Sequence, residues 1–132
     1  MQAIPIRLEP GDDLKLQIDR LAWGRGWRAA CVLTCAGSLS NAEIRFADQA
    51  DIGHVDGPLE IISLSGTIAS FGGSHLHIAV ANSKGQVIGG HLKEGSLVRT
   101  TAEIVIGVLE GYAFHREIDP ETGYAELVIN QG

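Results

Sequence analysis

The 132-residue chain has two cysteines, four prolines and aromatic residues at only 5%. Two thiols cannot supply the disulfide framework on which small secreted domains depend. No apolar run approaches the ~18 residues of a membrane-crossing helix. The N-terminus has neither a basic start nor an apolar signal core, so a cytoplasmic location without a membrane partner is expected. Basic residues are also scarce: 10 Lys and Arg stand against 16 Asp and Glu, a net charge of −6. That balance opposes a domain held to nucleic acid chiefly by attraction to phosphates, so DNA gains no support from charge. A glycine-rich phosphate loop followed by Lys-Ser/Thr is absent, as is nucleophile-elbow context around any Ser or Cys.

Glycine, by contrast, is plentiful at 17 residues, and 45% of the chain is hydrophobic. Residues 1–132 are expected to form one domain, since domains cluster near ~100–150 residues. The glycines punctuate short apolar runs, the mark of many strands and tight turns. Only one helix is expected. After Pro10-Gly11, Asp12 or Asp13 caps a segment whose apolar residues Leu14, Ile18, Leu21 and Ala22 recur at helical spacing, and Gly24 or Gly26 ends it. Gln2–Leu8 alternates, with Pro5 removing a ladder donor, and so reads as an edge strand. Further strands are expected over 28–36, 42–47, 59–70, 75–81, 86–92, 101–109, 113–117 and 125–129. One early helix followed by a string of antiparallel strands indicates an α+β fold, mainly antiparallel sheet with the helix packed on it. Cys31 and Cys35 lie four apart on one expected strand, hence on one face but ~13 Å apart, too far for a disulfide or a shared metal. They read as two buried thiols.

The stretch from Gly72 to Leu92 carries three of the five histidines. His75 and His77, two apart on a strand, share a face. Ser83-Lys84-Gly85 has the form of a three-residue hairpin loop with Gly85 left-handed, which would set Ala81 against Val87, Ala79 against Gly89 and His77 against His91. His75 then lies diagonally from His91. Leu76, Ile78, Val80, Ile88 and Leu92 fall on the reverse, core face. The histidine face is expected to be shallow and uncrowded, with three imidazoles able to converge on one ion. Three neutral imidazoles and an open position are a common zinc arrangement, and nickel, copper or iron also suit imidazole. A cupin-type site would add a Glu soon after His-x-His, but positions 78–82 are Ile, Ala, Val, Ala and Asn. Glu103 alternates with Ile104 and Ile106 and should leave the core. It is a candidate to orient an imidazole or to act as a base on metal-bound water, although simple exposure fits its spacing better. His54, in the polar stretch 51–56, and His115 stand apart; His54 reads as an exposed loop residue.

The motifs Leu59-Glu60-Ile61-Ile62-Ser63-Leu64-Ser65-Gly66-Thr67-Ile68, Gly73-Ser74-His75-Leu76-His77-Ile78, Gly85-Gln86-Val87-Ile88-Gly89-Gly90-His91-Leu92 and Thr101-Ala102-Glu103-Ile104 resemble the plants and prokaryotes conserved domain family (PPC or PCC), which is associated with AT-hooks in plants. The likeness extends to Ala36-Gly37-Ser38-Leu39 and to Phe114–Leu127. It implies an α+β fold with an antiparallel sheet, assembly as a homotrimer, and zinc held by His75, His77 and His91; Glu103 matches the acidic residue that follows in the family pattern. In plant members the AT-hooks contact DNA and this domain joins proteins together. The chain has no AT-hook, and the DNA-binding label common among prokaryotic relatives runs against its net charge. Three functions follow as expectations. The first is a zinc-binding homotrimeric module with binding or regulatory work, open to a small-molecule ligand at the metal. The second is an enzyme using zinc-activated water on a small substrate. The third is a DNA-binding protein.

Overall fold

The computed structural model describes residues 1–132. In chain order the elements are β1 (Gln2–Leu8), α1 (Leu14–Arg25), β2 (Ala30–Arg45), β3 (Gly53–Ile68), β4 (His75–Ala81), β5 (Val87–Leu92), β6 (Val98–Val108), β7 (Tyr112–Ile118) and β8 (Ala125–Gln131). Local chemistry explains the helix. Asp13 caps it, one carboxylate oxygen accepting from Leu16 N–H at 3.1 Å and the other from Gly95 N–H at 2.7 Å. Gly26 closes it at φ 67°, a left-handed conformation that glycine adopts without a Cβ penalty. Leu14, Ile18 and Ala22 are fully buried in one core with Leu39, Ile44, Ile68, Leu76, Leu92, Ile104 and Ile106. Each such Leu or Ile is worth roughly 1.5–3 kcal/mol of transfer free energy.

The main sheet runs β1-β6-β2-β3-β4-β5, entirely antiparallel, with β1 at the edge as Pro5 requires. Its far end comes back on itself. Ile44 pairs with Leu92 and Arg45 with His91, so β2, β3, β4 and β5 close a ring. Two glycines permit this crowding. A Cβ on Gly90 would lie 2.8 Å from the Arg45 carbonyl oxygen, and one on Gly66, at φ +143°, only 1.9 Å from that of His75. The α+β expectation therefore holds, while β7 and β8 form a separate two-stranded sheet. That hairpin is tied to the rest by Phe114 N–H to the Arg28 carbonyl at 2.9 Å and by a small cluster of Ala29, Ala69 and Phe114.

Several strand expectations need correction. The gap expected between 36 and 42 does not exist, because β2 continues through it. Gly37 there is no turn residue; its missing Cβ makes room for the Thr101 carbonyl, which would otherwise lie 2.2 Å away. Buried Ser38 meets Thr100 Oγ1 at 2.6 Å, so a polar residue sits inside the strand without loss. A register irregularity between Val32 and Thr34 leaves Leu33 without a partner and reverses the alternation. Cys31, opposite Gly107, and Cys35, opposite Ile104, consequently lie on opposite faces. Only Cys35 is buried, and burial pushes its thiol up to about 11. Ile88 is opposite buried Val80 yet remains 40% exposed near the end of the ladder, outside the core assigned to it.

His54 also lies in a strand and not in a loop. It stands opposite Glu43, its Nδ1 bonds that carboxylate at 2.8 Å, and its Nε2 bonds Asp56 at 2.8 Å. These side-chain hydrogen bonds, Glu43's first, raise its pKa from the ordinary 6.5.

Three substitutions test this account. Gly66→Ala is expected to lower stability by about 1–3 kcal/mol or more from strain at positive φ. Gly24→Ala, in α1 where an added Cβ meets nothing within 4 Å, should raise it by up to about 1 kcal/mol; urea unfolding measures both. Because His54 binds its proton more tightly when folded, its stabilisation is complete below pH about 6.5 and is lost as pH rises through the elevated folded value. The melting-temperature difference between the wild type and His54→Gln should shrink over that window, and a pH-independent difference would refute the assignment.

Candidate metal centre

The site grows from one turn. Asn82 donates its N–H to the Gln86 carbonyl at 3.0 Å and accepts from Gly85 N–H at 2.9 Å, with Gly85 at φ 75°. The Asn82 side-chain oxygen accepts from Lys84 and Gln86 N–H, both at 3.0 Å. This is the expected three-residue connection, and the ladder beyond it has the expected register, with Ala81 opposite Val87, Ala79 opposite Gly89 and His77 opposite His91. Ring closure extends the row. Arg45, His91, His77 and Ser65 stand opposite one another in turn on β2, β5, β4 and β3, and His75 stands opposite Thr67 one step along.

The three imidazoles thus meet on the outside of the ring. Ring centroids are 5.0 Å apart for His75 and His77, 5.0 Å for His75 and His91, and 5.8 Å for His77 and His91. One nitrogen from each lies within 4.8 Å of the others. A tetrahedral ion with bonds of about 2.0–2.1 Å holds its nitrogens about 3.4 Å apart, a spacing inside the 4.8 Å limit of these three. The donor set therefore fits a metal. Burial pushes His91 down to about 4, with Lys93 and His75 adding repulsion. His75 is also lowered, by burial first and then by Arg116 and His77. Both imidazoles are neutral at pH 7, the form that binds metals.

Helix α1 positions the entry to β4. Lys15 Nζ donates to the Ser74 hydroxyl at 3.0 Å and carbonyl at 3.2 Å, and Asp19 accepts from Ser74 N–H at 2.9 Å. Lys15 and Asp19 pair at 2.9 Å. The residue just before His75 is thereby fixed from a distant part of the chain.

The surface is not as uncrowded as its small neighbours Ala79 and Gly89 suggest. The β7–β8 hairpin stands beside it, and Arg116 and Glu126 line a cleft of about 960 Å³ with Arg45, His75 and His91. A smaller recess of about 380 Å³ adjoins it between His77, Ser65 and Thr67. His75 and His91 are half-buried and His77 is exposed. Glu103 is exposed on β6, opposite Arg7 and Ala36, and does not join the gathered imidazoles. His115 is elsewhere on the hairpin, bonded to Glu117 and Asn130. Sequence reading did not single out Arg45, Arg116 or Glu126. No local signal marks them, because the β2–β5 closure and the hairpin docking bring them in from distant segments.

The profile of the Plants and Prokaryotes Conserved (PCC) domain matches residues 1–110. Bifunctional protein GlmU of Synechococcus sp. (strain JA-2-3B'a(2-13)) is 46% identical over 129 residues, covering 98% of this chain and 20% of that protein. The chain spans about a fifth of the length of the curated relatives it matches. Among solved structures, a hypothetical protein from Salmonella enterica superposes with a TM-score of 0.96 at 38% identity, covering 98% of this chain and 94% of that one. A protein from Archaeoglobus fulgidus described as metal-containing gives 0.84 at 30% identity, covering 97% and 94%. Other similar structures carry a provisional DNA-binding description.

Proposed function

Because the chain belongs to the Plants and Prokaryotes Conserved family and gathers three imidazoles on one face of its ring, we propose that it is a zinc-binding module, assembled as a homotrimer, with binding or regulatory work done at the metal. The observation that carries this reading is the convergence of His75, His77 and His91 to within 4.8 Å. Imidazole ligands suit zinc, nickel, copper and iron; three of them with a position left for water or a ligand match a common zinc geometry. The metal-containing description of the Archaeoglobus protein, 30% identical, supports the same reading. So does the curated match: a segment that makes up a fifth of a bifunctional protein fits a module that serves a larger chain.

The ion would supply Lewis acidity and an acidified water to whatever enters the cleft. His75, His77 and His91 would hold it, and their neighbours shape the access: Ser74 is anchored by Lys15 and Asp19, and Glu126 lines the wall. That carboxylate favours a second reading, a metal-dependent enzyme on a small substrate, in which Glu126 and not Glu103 handles the proton. DNA binding, described for relatives, remains the third; it has to overcome a charge of −6.

Leu33 and Ile62 support self-association, standing 46% and 56% exposed on adjacent strands β2 and β3. Large apolar side chains left exposed on neighbouring strands are where an association surface would form.

Elemental analysis with native mass spectrometry tests both parts. Near one zinc per chain is expected for the wild type and none for His77→Ala with unchanged circular dichroism. Metal retained by that variant, or a wild type that takes up none from zinc sulfate, would overturn the site. A native mass of three chains is expected, falling to one when Leu33 and Ile62 are both changed to Asp. A trimer that survives the double change would remove this face from the interface.

A further inference from the structure

Two guanidinium groups flank the imidazoles without an acidic partner. Arg45 donates a hydrogen bond only to the Gln49 carbonyl, at 3.4 Å, and Arg116 only to Thr67 Oγ1, at 3.4 Å. The chain's salt bridges involve Arg7, Lys15, His54 and His115, so neither arginine has a carboxylate within 4.0 Å. They approach from unrelated directions. Arg45 arrives through the β2–β5 closure, directly opposite His91, whereas Arg116 comes from the separate hairpin. Both line the same cleft with His75 and His91. The positive fields of Arg45 and Arg116 act on His75, and those of Lys93 and Arg45 act on His91. A guanidinium offers five donors in a planar fork that matches a carboxylate or phosphate, and here most of those donors are unused.

Glu126 and Asp48 share the wall. A phosphate dianion would face their like charges, whereas a monoanion with a hydroxyl or amino donor could satisfy both the arginines and a carboxylate. We infer that the cleft binds a small carboxylate-bearing molecule that also carries a hydroxyl or amino group, its carboxylate held by Arg45 and Arg116 beside the three imidazoles. This inference rests on the proposed metal reading only for a ligand oxygen at the ion; the arginine clamp stands without it.

Lactate is a suitable probe, with orthophosphate as the contrasting anion, each titrated calorimetrically into wild-type protein of measured metal content. Lactate is expected to bind at millimolar concentration or below, and more tightly than phosphate. Arg45→Gln and Arg116→Gln should each weaken it by about tenfold or more, the loss of a charge-assisted hydrogen-bonding partner, with metal content unchanged. Glu126→Gln should narrow the preference for lactate over phosphate. Equal lactate affinity in the Arg45→Gln/Arg116→Gln double variant would overturn the proposal, as would tighter binding of phosphate by the wild type or no lactate binding. If the protein holds no zinc yet binds lactate in an arginine-dependent way, the metal reading fails and the anion cleft stands.

Discussion

The three-residue turn between β4 and β5 decides which faces those strands present. Successive strand residues point to opposite sides, so a slip of one position would carry His91 into the core and expel Leu92, which is now fully buried. The apolar residues and the imidazoles therefore demand the same pairing. Burying an imidazole without partners costs free energy, as does exposing a leucine, so core and site stabilise one register together. Asn82 reinforces it with two side-chain bonds that hold the loop at its length. Nothing in the turn touches a metal, yet the convergence of the histidines depends on it.

Contacts remote in sequence then convert a row of histidines into a site with walls. The end of β2 meets β5 only because Gly90 has no Cβ to press on the Arg45 carbonyl. This closure gives the sheet an outer row that spans four strands. Helix α1 contributes at both levels: its apolar side fills the core, and Lys15 and Asp19 grip Ser74 at the threshold of β4. Partly buried charge-assisted bonds of this type are stronger than neutral ones. The hairpin makes a third contribution through Phe114, which anchors β7 so that Arg116 faces the imidazoles. All of that hairpin lies beyond residues 1–110, the segment matched by the family profile. The three imidazoles thus lie within the segment the profile matches, while the hairpin wall lies beyond it, in the stretch that the longer matches also cover.

This division also explains what could be read from the sequence. The helix, its Asp13 and Gly26 caps, the edge strand with Pro5 and the β4–β5 register all rest on residues near one another in the chain, where spacing and turn chemistry are decisive. The misreadings share a different cause. Gly37 looks like a break but serves a close approach to β6, a contact made across more than sixty positions. Cys31 and Cys35 were expected on one face because alternation was assumed to persist, and the irregularity at Leu33 interrupts it. His54 occupies a polar stretch whose strand character comes from pairing with Glu43. The second wall of the cleft was invisible for the same reason, since Arg45, Arg116 and Glu126 meet only through tertiary contacts.

The charge argument depends on length scale. A net charge of −6 governs encounters with extended polyanions, whose many phosphates sample the whole surface. Within a cleft the relevant charges are those inside about one Debye length, roughly 8–10 Å at physiological ionic strength. There Arg45 and Arg116 line the wall with Asp48 and Glu126, and Lys93 adds its positive field at His91. Net charge can therefore disfavour an extended polyanion while the cleft still attracts a small anion. Partial burial strengthens this selectivity, because charges at the cleft wall are screened less than those on the open surface. Three of the chain's ten cations, Arg45, Arg116 and Lys93, thus bear on the imidazoles, where a small anion meets them while an extended polyanion meets the net negative surface.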